Sequence, residues 1–166
     1  YVDLAPTVLD LAKITLPSYL QGKSILNNKT KAREYLVAAA DRFDGQVDRI
    51  RAIKNKRFKL IRNYNVSLPH ALDVNYRKQV PMMRRLMELN DKDLLNANQK
   101  RWFQTPKSPI EFYDLVADPF ELNNLASDSR YTTEIRAFEG QLDAWIKTTN
   151  DLGELPESEI IKYSTQ

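Results

Sequence analysis

The chain contains no cysteine in 166 residues. Disulfides, thiolate nucleophiles, thiolate zinc sites and iron–sulfur clusters are therefore excluded from it. Histidine occurs once, as His70. A Ser-His-Asp triad has one possible base here, and a multi-histidine metal site is impossible. Glycine is sparse at 4 residues and proline ordinary at 8, which rules out collagen-like and low-complexity classes. No apolar run approaches the roughly 18 residues of a membrane span. There is no glycine-rich phosphate loop, nucleophile elbow or zinc-protease helix. The chain opens at Tyr1 without a basic-then-apolar leader and reads as a fragment of a longer protein.

What is present suits one folded domain. The hydrophobic fraction is 42%, with two Trp, eight Tyr and six Phe, enough for a real core. There are 25 basic and 22 acidic residues, a net charge of +3. The charge is uneven. Between Arg49 and Arg62 stand Arg49, Arg51, Lys54, Lys56, Arg57, Lys59 and Arg62. Such a cluster fits either a solvated hairpin face or a surface for nucleic acid or another polyanion.

Residues 5–13 read as a helix opened by Pro6 and stopped by Pro17, and 18–32 as a loop. The apolar run Glu34–Ala40 predicts a buried strand. Val47–Lys54 and Arg57–Tyr64 predict a hairpin, since Phe58 and Leu60 alternate with Arg57 and Lys59. Asn55 and Lys56 are its expected turn, Asn being tolerant of positive φ. After a loop over 65–80, Pro81 opens a helix whose Met82, Met83, Leu86, Met87 and Leu89 form one buried stripe. A further helical piece is expected over Lys92–Phe103, and Glu111–Val116 reads as a strand. The last strong element is a helix over 130–149, with Tyr131, Ile135, Phe138, Leu142, Trp145 and Ile146 on one face. Residues 151–166 read as a polar tail. The expected fold class is α+β: a small antiparallel sheet of about four strands packed against a long C-terminal helix, with a helical insertion.

Catalytic machinery is hard to find. Asp41, Asp44 and Asp48 fit a hard-cation site or acid–base work, and equally ion pairing with Arg42 and Arg49.

The segment Phe112–Ala126, FYDLVADPFELNNLA, carries more information. A strand holds Phe112, Tyr113 and Leu115, Asp118-Pro119 turns the chain, and Leu122 and Leu125 reseat it on a core. With Glu111 in front, it resembles the C-terminal signature of the type I sulfatases: Glu111, Tyr113, Asp114, Leu115, then Asp118, Pro119, Glu121, then Asn124, Leu125, Ala126. Val2–Pro17 followed by Gly22, Lys23 and Ser24 is similar to the sulfatase helix leading into a G-x-S loop. Ala39–Asn63 resembles the first two strands of the sulfatase C-terminal subdomain. The D-R-F-D form at 41–44 and the long 65–105 insertion are most similar to the sulfamidase (heparan N-sulfatase)-like branch.

The resemblance implies an alkaline-phosphatase-like hydrolase that cleaves sulfate esters or sulfamates, plausibly on sulfated sugars. Such enzymes use a formylglycine made within a C/S-x-P-x-R motif and a calcium ion. Both are implied for the missing N-terminal catalytic domain, the partner of this piece. Here the nearest match, Ser67-Leu68-Pro69-His70-Ala71, lacks the arginine. No catalytic or metal residue is therefore assigned, and the fragment alone is expected to be inactive. Residues 1–32 are expected to be the trailing helix and loop of the large domain, and 33–166 the C-terminal subdomain. Arg42, Asp44 and His70 are the expected substrate-binding residues, on the ground that they sit in loops. The resemblance also implies a periplasmic, secreted or lysosomal location, with no nucleic acid and no membrane as partners.

Overall fold

The computed structural model of the chain describes residues 1–26 and 32–164. The chain divides into two compact units, Tyr1–Glu34 and Tyr35–Gln166. The first is built on α1 (Leu4–Leu11). The Thr7 hydroxyl donates to the Asp3 carbonyl at 2.5 Å and accepts from the Ile25 amide at 3.2 Å. Ser24 donates to Asp10 at 2.5 Å. Gly22 is required where it is, since a Cβ there would lie 1.9 Å from the Val2 carbonyl oxygen. The loop expected over 18–32 falls partly outside the described residues.

The second unit holds a four-stranded sheet in the order β1 (Leu36–Phe43), β2 (Gln46–Lys54), β3 (Phe58–Asn63), β4 (Ile110–Asp114), every neighbouring pair antiparallel. Between β3 and β4 lie α2 (Asn75–Gln79), α3 (Pro81–Asp91) and α4 (Ala97–Lys100). The long helix α5 (Thr132–Thr149) follows β4, and α6 (Glu157–Ser164) comes last. This is the α+β fold expected from the sequence.

Strand alternation gives the sheet two different faces. Ile53, Leu60 and Phe112 point to α5 and form the core with Phe138 and Leu142. Phe58 stacks on Phe112 at 5.2 Å between centroids, and Phe112 meets the Phe138 ring edge-on at 5.6 Å. The α5 stripe read from the sequence is the one observed. Gly140, elsewhere on the same helix, is exposed, a Cβ there would meet open space, and nothing among the described residues requires a glycine.

Five expectations need correction. The first strand is not buried: it is an edge strand, only Tyr35 and Val37 pack on the core, and Ala38, Ala39 and Ala40 are exposed. An apolar run does not say whether a strand lies at the centre or the edge. Asn55 does not use positive φ; its side chain instead accepts from the amides of Arg57 (2.8 Å) and Phe58 (2.7 Å). In the neighbouring β1–β2 turn it is Asp44 that takes positive φ, at +55°. In α3 only Met83 is buried, and Met82 lies on the outer face. The 92–103 piece contains one helical turn, capped by Asn96 and Gln99. The tail is not featureless. Asn150, at φ +50°, ends α5 in the left-handed conformation, and a 3-10 turn (Leu152–Glu154) and α6 follow.

Candidate functional site

The sheet face away from α5 mixes apolar side chains such as Ile61 with a group of polar ones. It carries Asp48, Lys59, Asn63, Glu111 and Tyr113, because these alternate with the core residues. The loops 65–73 and 101–109 close over it. They are joined by Lys107 N donating to the Val66 carbonyl (3.0 Å) and Ala71 N to the Trp102 carbonyl (2.8 Å). Lys107 also reaches down to Asp48, a buried pair at 2.5 Å. A cleft of about 650 Å³ is left, lined by His70, Arg101, Trp102, Lys107, Glu111 and Tyr113 among others. That volume lies within the range of small-molecule sites, roughly 300–1,000 Å³.

Glu111 organises the floor. Its Oε1 accepts from Asn63 Nδ2 at 2.7 Å and meets His70 Nε2 at 3.1 Å, while its Oε2 accepts from the Tyr113 hydroxyl at 2.5 Å. Burial pushes the carboxyl pKa up, but the bonds from His70, Tyr113 and Asn63 overcome that and bring it down to about 2. Burial and the Glu111 charge hold the Tyr113 hydroxyl above its usual range. Glu111 is thus a carboxylate with no proton to give, and Nε2 of His70 is the donor in their bond. Nδ1 of His70 makes no hydrogen bond among the described residues. Arg101 donates to the Leu122 carbonyl and, at 3.1 Å, to Tyr113 Oη. It forms no ion pair among the described residues, so its charge is available to an anion.

The sulfatase-like signature is mostly scaffold. Asn124 Oδ1 accepts from the amides of Phe112 (2.9 Å) and Ala126 (3.0 Å), and Leu125 N donates to the Phe112 carbonyl (2.8 Å). These bonds cover the free edge of β4. Asp114 pairs with Arg57 at 2.9 Å, and Glu121, at φ +57°, with Lys59 at 2.7 Å. Only Glu111, Tyr113, Glu121, Leu122 and Asn124 of this stretch reach the cleft, with Phe120.

Of the three residues expected to bind substrate, His70 lines the cleft. Arg42 and Asp44 are not among the described lining residues. Asp44 lies in the β1–β2 turn as expected, but Arg42 does not sit in a loop: β1 runs on to Phe43, opposite Gln46, beyond the bulge at Asp41. Trp102, Arg101 and Asn63 were not singled out by the sequence, and Glu111 only as part of the signature. The one usable signal was Glu111 and Tyr113 flanking Phe112 at a spacing of two.

Two of the three aspartates resolve as ion pairs, Asp41 with Arg51 (2.8 Å) and Asp48 with Lys107. Among the described residues no three His, Asp or Glu side chains come together as a metal site. Together with the missing motif arginine, these residues fit neither a calcium ion nor a formylglycine precursor. The basic hairpin is spoken for as well. Arg51, Arg57, Lys59 and Arg62 pair with Asp151, Asp114, Glu121 and Asp143. Arg49 lies 3.9 Å over the Tyr64 ring and donates to the Gly153 carbonyl. Among the described residues, Lys54 and Lys56 are the members of the cluster left without such a partner. No described helix is long and apolar enough to cross a membrane.

The fold is that of sulfatase C-terminal subdomains. The structure of a 2-O GAG sulfatase superposes with a TM-score of 0.60 at 20% identity, over 90% of this chain and 25% of that one. A structure in complex with its substrate D-glucosamine-2-N,6-O-disulfate gives 0.58 at 25% identity, over 93% and 25%. The chain belongs to the family described as N-sulphoglucosamine sulphohydrolase, C-terminal, which matches residues 1–101. It is 41% identical over 162 residues to an ulvan-active sulfatase of Formosa agariphila, covering 97% of this chain and 27% of that protein. To the N-sulphoglucosamine sulphohydrolase of Homo sapiens it is 26% identical, over 90% of this chain and 32% of that protein. The chain thus spans between a quarter and a third of the length of these relatives.

Proposed function

We propose that this chain is the C-terminal subdomain of an enzyme that hydrolyses sulfate esters or sulfamates on sulfated sugars, and that its cleft forms one side of the substrate site. The observation that carries this reading is the cleft itself: a guanidinium with no ion pair among the described residues, a histidine bonded to Glu111 and an exposed indole. Arg101 supplies positive charge for a sulfate or carboxylate. His70, oriented by Glu111, presents Nδ1 to a sugar hydroxyl. Arg42 and Asp44 flank Phe43, whose ring lies 5.1 Å from the Arg77 guanidinium that binds the His70 carbonyl. From that hairpin tip Arg42 would reach a sulfate and Asp44 a hydroxyl.

The bond-breaking chemistry belongs to a catalytic domain beyond these residues, where formylglycine would supply the nucleophile and calcium would hold the sulfate. Residues 1–32 would complete that domain. A periplasmic, secreted or lysosomal setting goes with this reading.

The full-length protein is expected to release sulfate from sulfated saccharides, and the 166-residue piece alone to release none. Turnover by the pure piece overturns the reading, as does a full-length protein inert towards a panel of ester- and amide-linked sulfates. Arg42→Ala in the full-length protein should lower kcat/KM about tenfold, the worth of one good charged contact, with the melting temperature unchanged. An unchanged kcat/KM removes Arg42 from the site.

A further inference from the structure

The rim of the cleft contains a stack that the floor does not need. The Arg77 guanidinium carbon lies 5.1 Å from the Phe43 ring centroid and 5.4 Å from that of Trp102. Its Nη1 donates to the carbonyls of His70 (3.2 Å) and Leu72 (3.4 Å). The hairpin tip, the His70 loop and the Trp102 turn are therefore fastened by one cation. Trp102 is nonetheless 45% exposed, and it lines the cavity. A core indole would be covered; a surface indole with no task would not be so firmly held.

We propose that Trp102 is a stacking wall for a sugar ring in this cleft, and that Arg77 is the positioning residue that holds the wall in place. The proposal rests on the sulfated-sugar reading and gives that site a specificity element. An indole face carries the negative side of the ring quadrupole, which attracts the weakly positive C–H groups on one face of a pyranose as it attracts a cation. The contact is apolar, so it leaves the sugar hydroxyls and sulfate free for Arg101 and His70 alongside. Rigidity makes the contact productive, because little freedom is lost when a sugar docks on a wall already fixed. Phe120 also lines the cavity, but it is 81% exposed, and no described ring or cation packs against it. It lacks the preorganisation that Trp102 has.

The test is steady-state kinetics of the full-length protein on the sulfated sugar it turns over, with melting curves alongside. Trp102→Ala should raise KM about tenfold, the effect of losing one well-packed aromatic contact, with kcat little changed. Trp102→Leu keeps apolar bulk without the quadrupole and should also raise KM; it carries the test if the alanine variant fails to fold. Trp102→Phe should restore most of the affinity. Arg77→Met should raise KM through the loosened wall, and Arg77→Lys should recover part of it. A KM within twofold of wild type in both Trp102→Ala and Trp102→Leu overturns this proposal alone. A wild-type protein that turns over no sulfated sugar overturns the underlying reading and this proposal with it.

Discussion

Glu111 shows how one side chain serves both stability and site geometry. Its carboxylate is buried, yet its pKa is about 2 against a usual 4.5, because three donors converge on it. A carboxylate depressed on folding contributes stability that is complete above about pH 4.5 and is lost as pH falls towards 2. The contribution amounts to about 3 kcal/mol when complete. Glu111→Gln should therefore be less stable than wild type near neutral pH, with the gap closing between pH 4.5 and 2. Urea midpoints measured across that range check it; two parallel curves would show that the carboxylate charge is not what the three donors hold. Little of this was legible beforehand. His70 was found because it is the only histidine, but its partner lies 41 residues away, and no local pattern encodes that pairing. Arg42 lies in a strand and not in a loop because the chain turns at Asp44-Gly45, which lets β1 run on to Phe43.

At the level of elements, the sequence was most readable where one periodic face met one partner. The α5 stripe and the Phe58–Leu60 alternation both came through, since side-chain direction there follows from helical or strand geometry alone. The tail was misread because its anchor is non-local. Arg51, 1% exposed, donates from Nε to Asp151 at 2.6 Å and from Nη2 at 2.9 Å, and pairs with Asp41 at 2.8 Å. It also donates to the carbonyls of Ala40 and Ile50. This single guanidinium ties β1, β2 and the segment after α5 together. Gly153 packs against it so closely that a Cβ would fall 1.8 Å from Nη2 and 2.7 Å from Asp41 Oδ1. Arg51→Ala leaves two carboxylates without their cation and should cost about 3–5 kcal/mol. Gly153→Ala must push the guanidinium off Asp151 and should cost about 1–3 kcal/mol by overpacking. Both should also expose the chain after Asp151 to limited proteolysis. A Gly153→Ala protein as stable and protease-resistant as wild type would mean that the tail is not held through this node.

At the scale of the whole molecule, large exposed apolar side chains are densest along the Tyr1–Glu34 unit. In the Tyr35–Gln166 unit four of the seven basic residues of the hairpin are held in ion pairs. In the Tyr1–Glu34 unit, Val2, Leu4, Val8, Leu11 and Ile14 are each more than half exposed, and Tyr19 is 80% exposed. Alpha1 buries only Pro6 and Thr7 of its eight residues. Soluble chains rarely leave so many large apolar side chains in water over so short a stretch, and this chain spans only 27% and 32% of the length of two relatives. The isolated 166-residue piece should therefore enhance the fluorescence of a hydrophobic dye and self-associate as its concentration rises. The full-length protein should do neither. Replacing Val8 and Leu11 together by Ser should suppress both effects in the piece while leaving the melting of its sheet unchanged, because neither side chain belongs to the core around Phe112. Dye fluorescence and sedimentation velocity decide it: a piece that stays monomeric and dark to the dye would mean that α1 needs no covering surface.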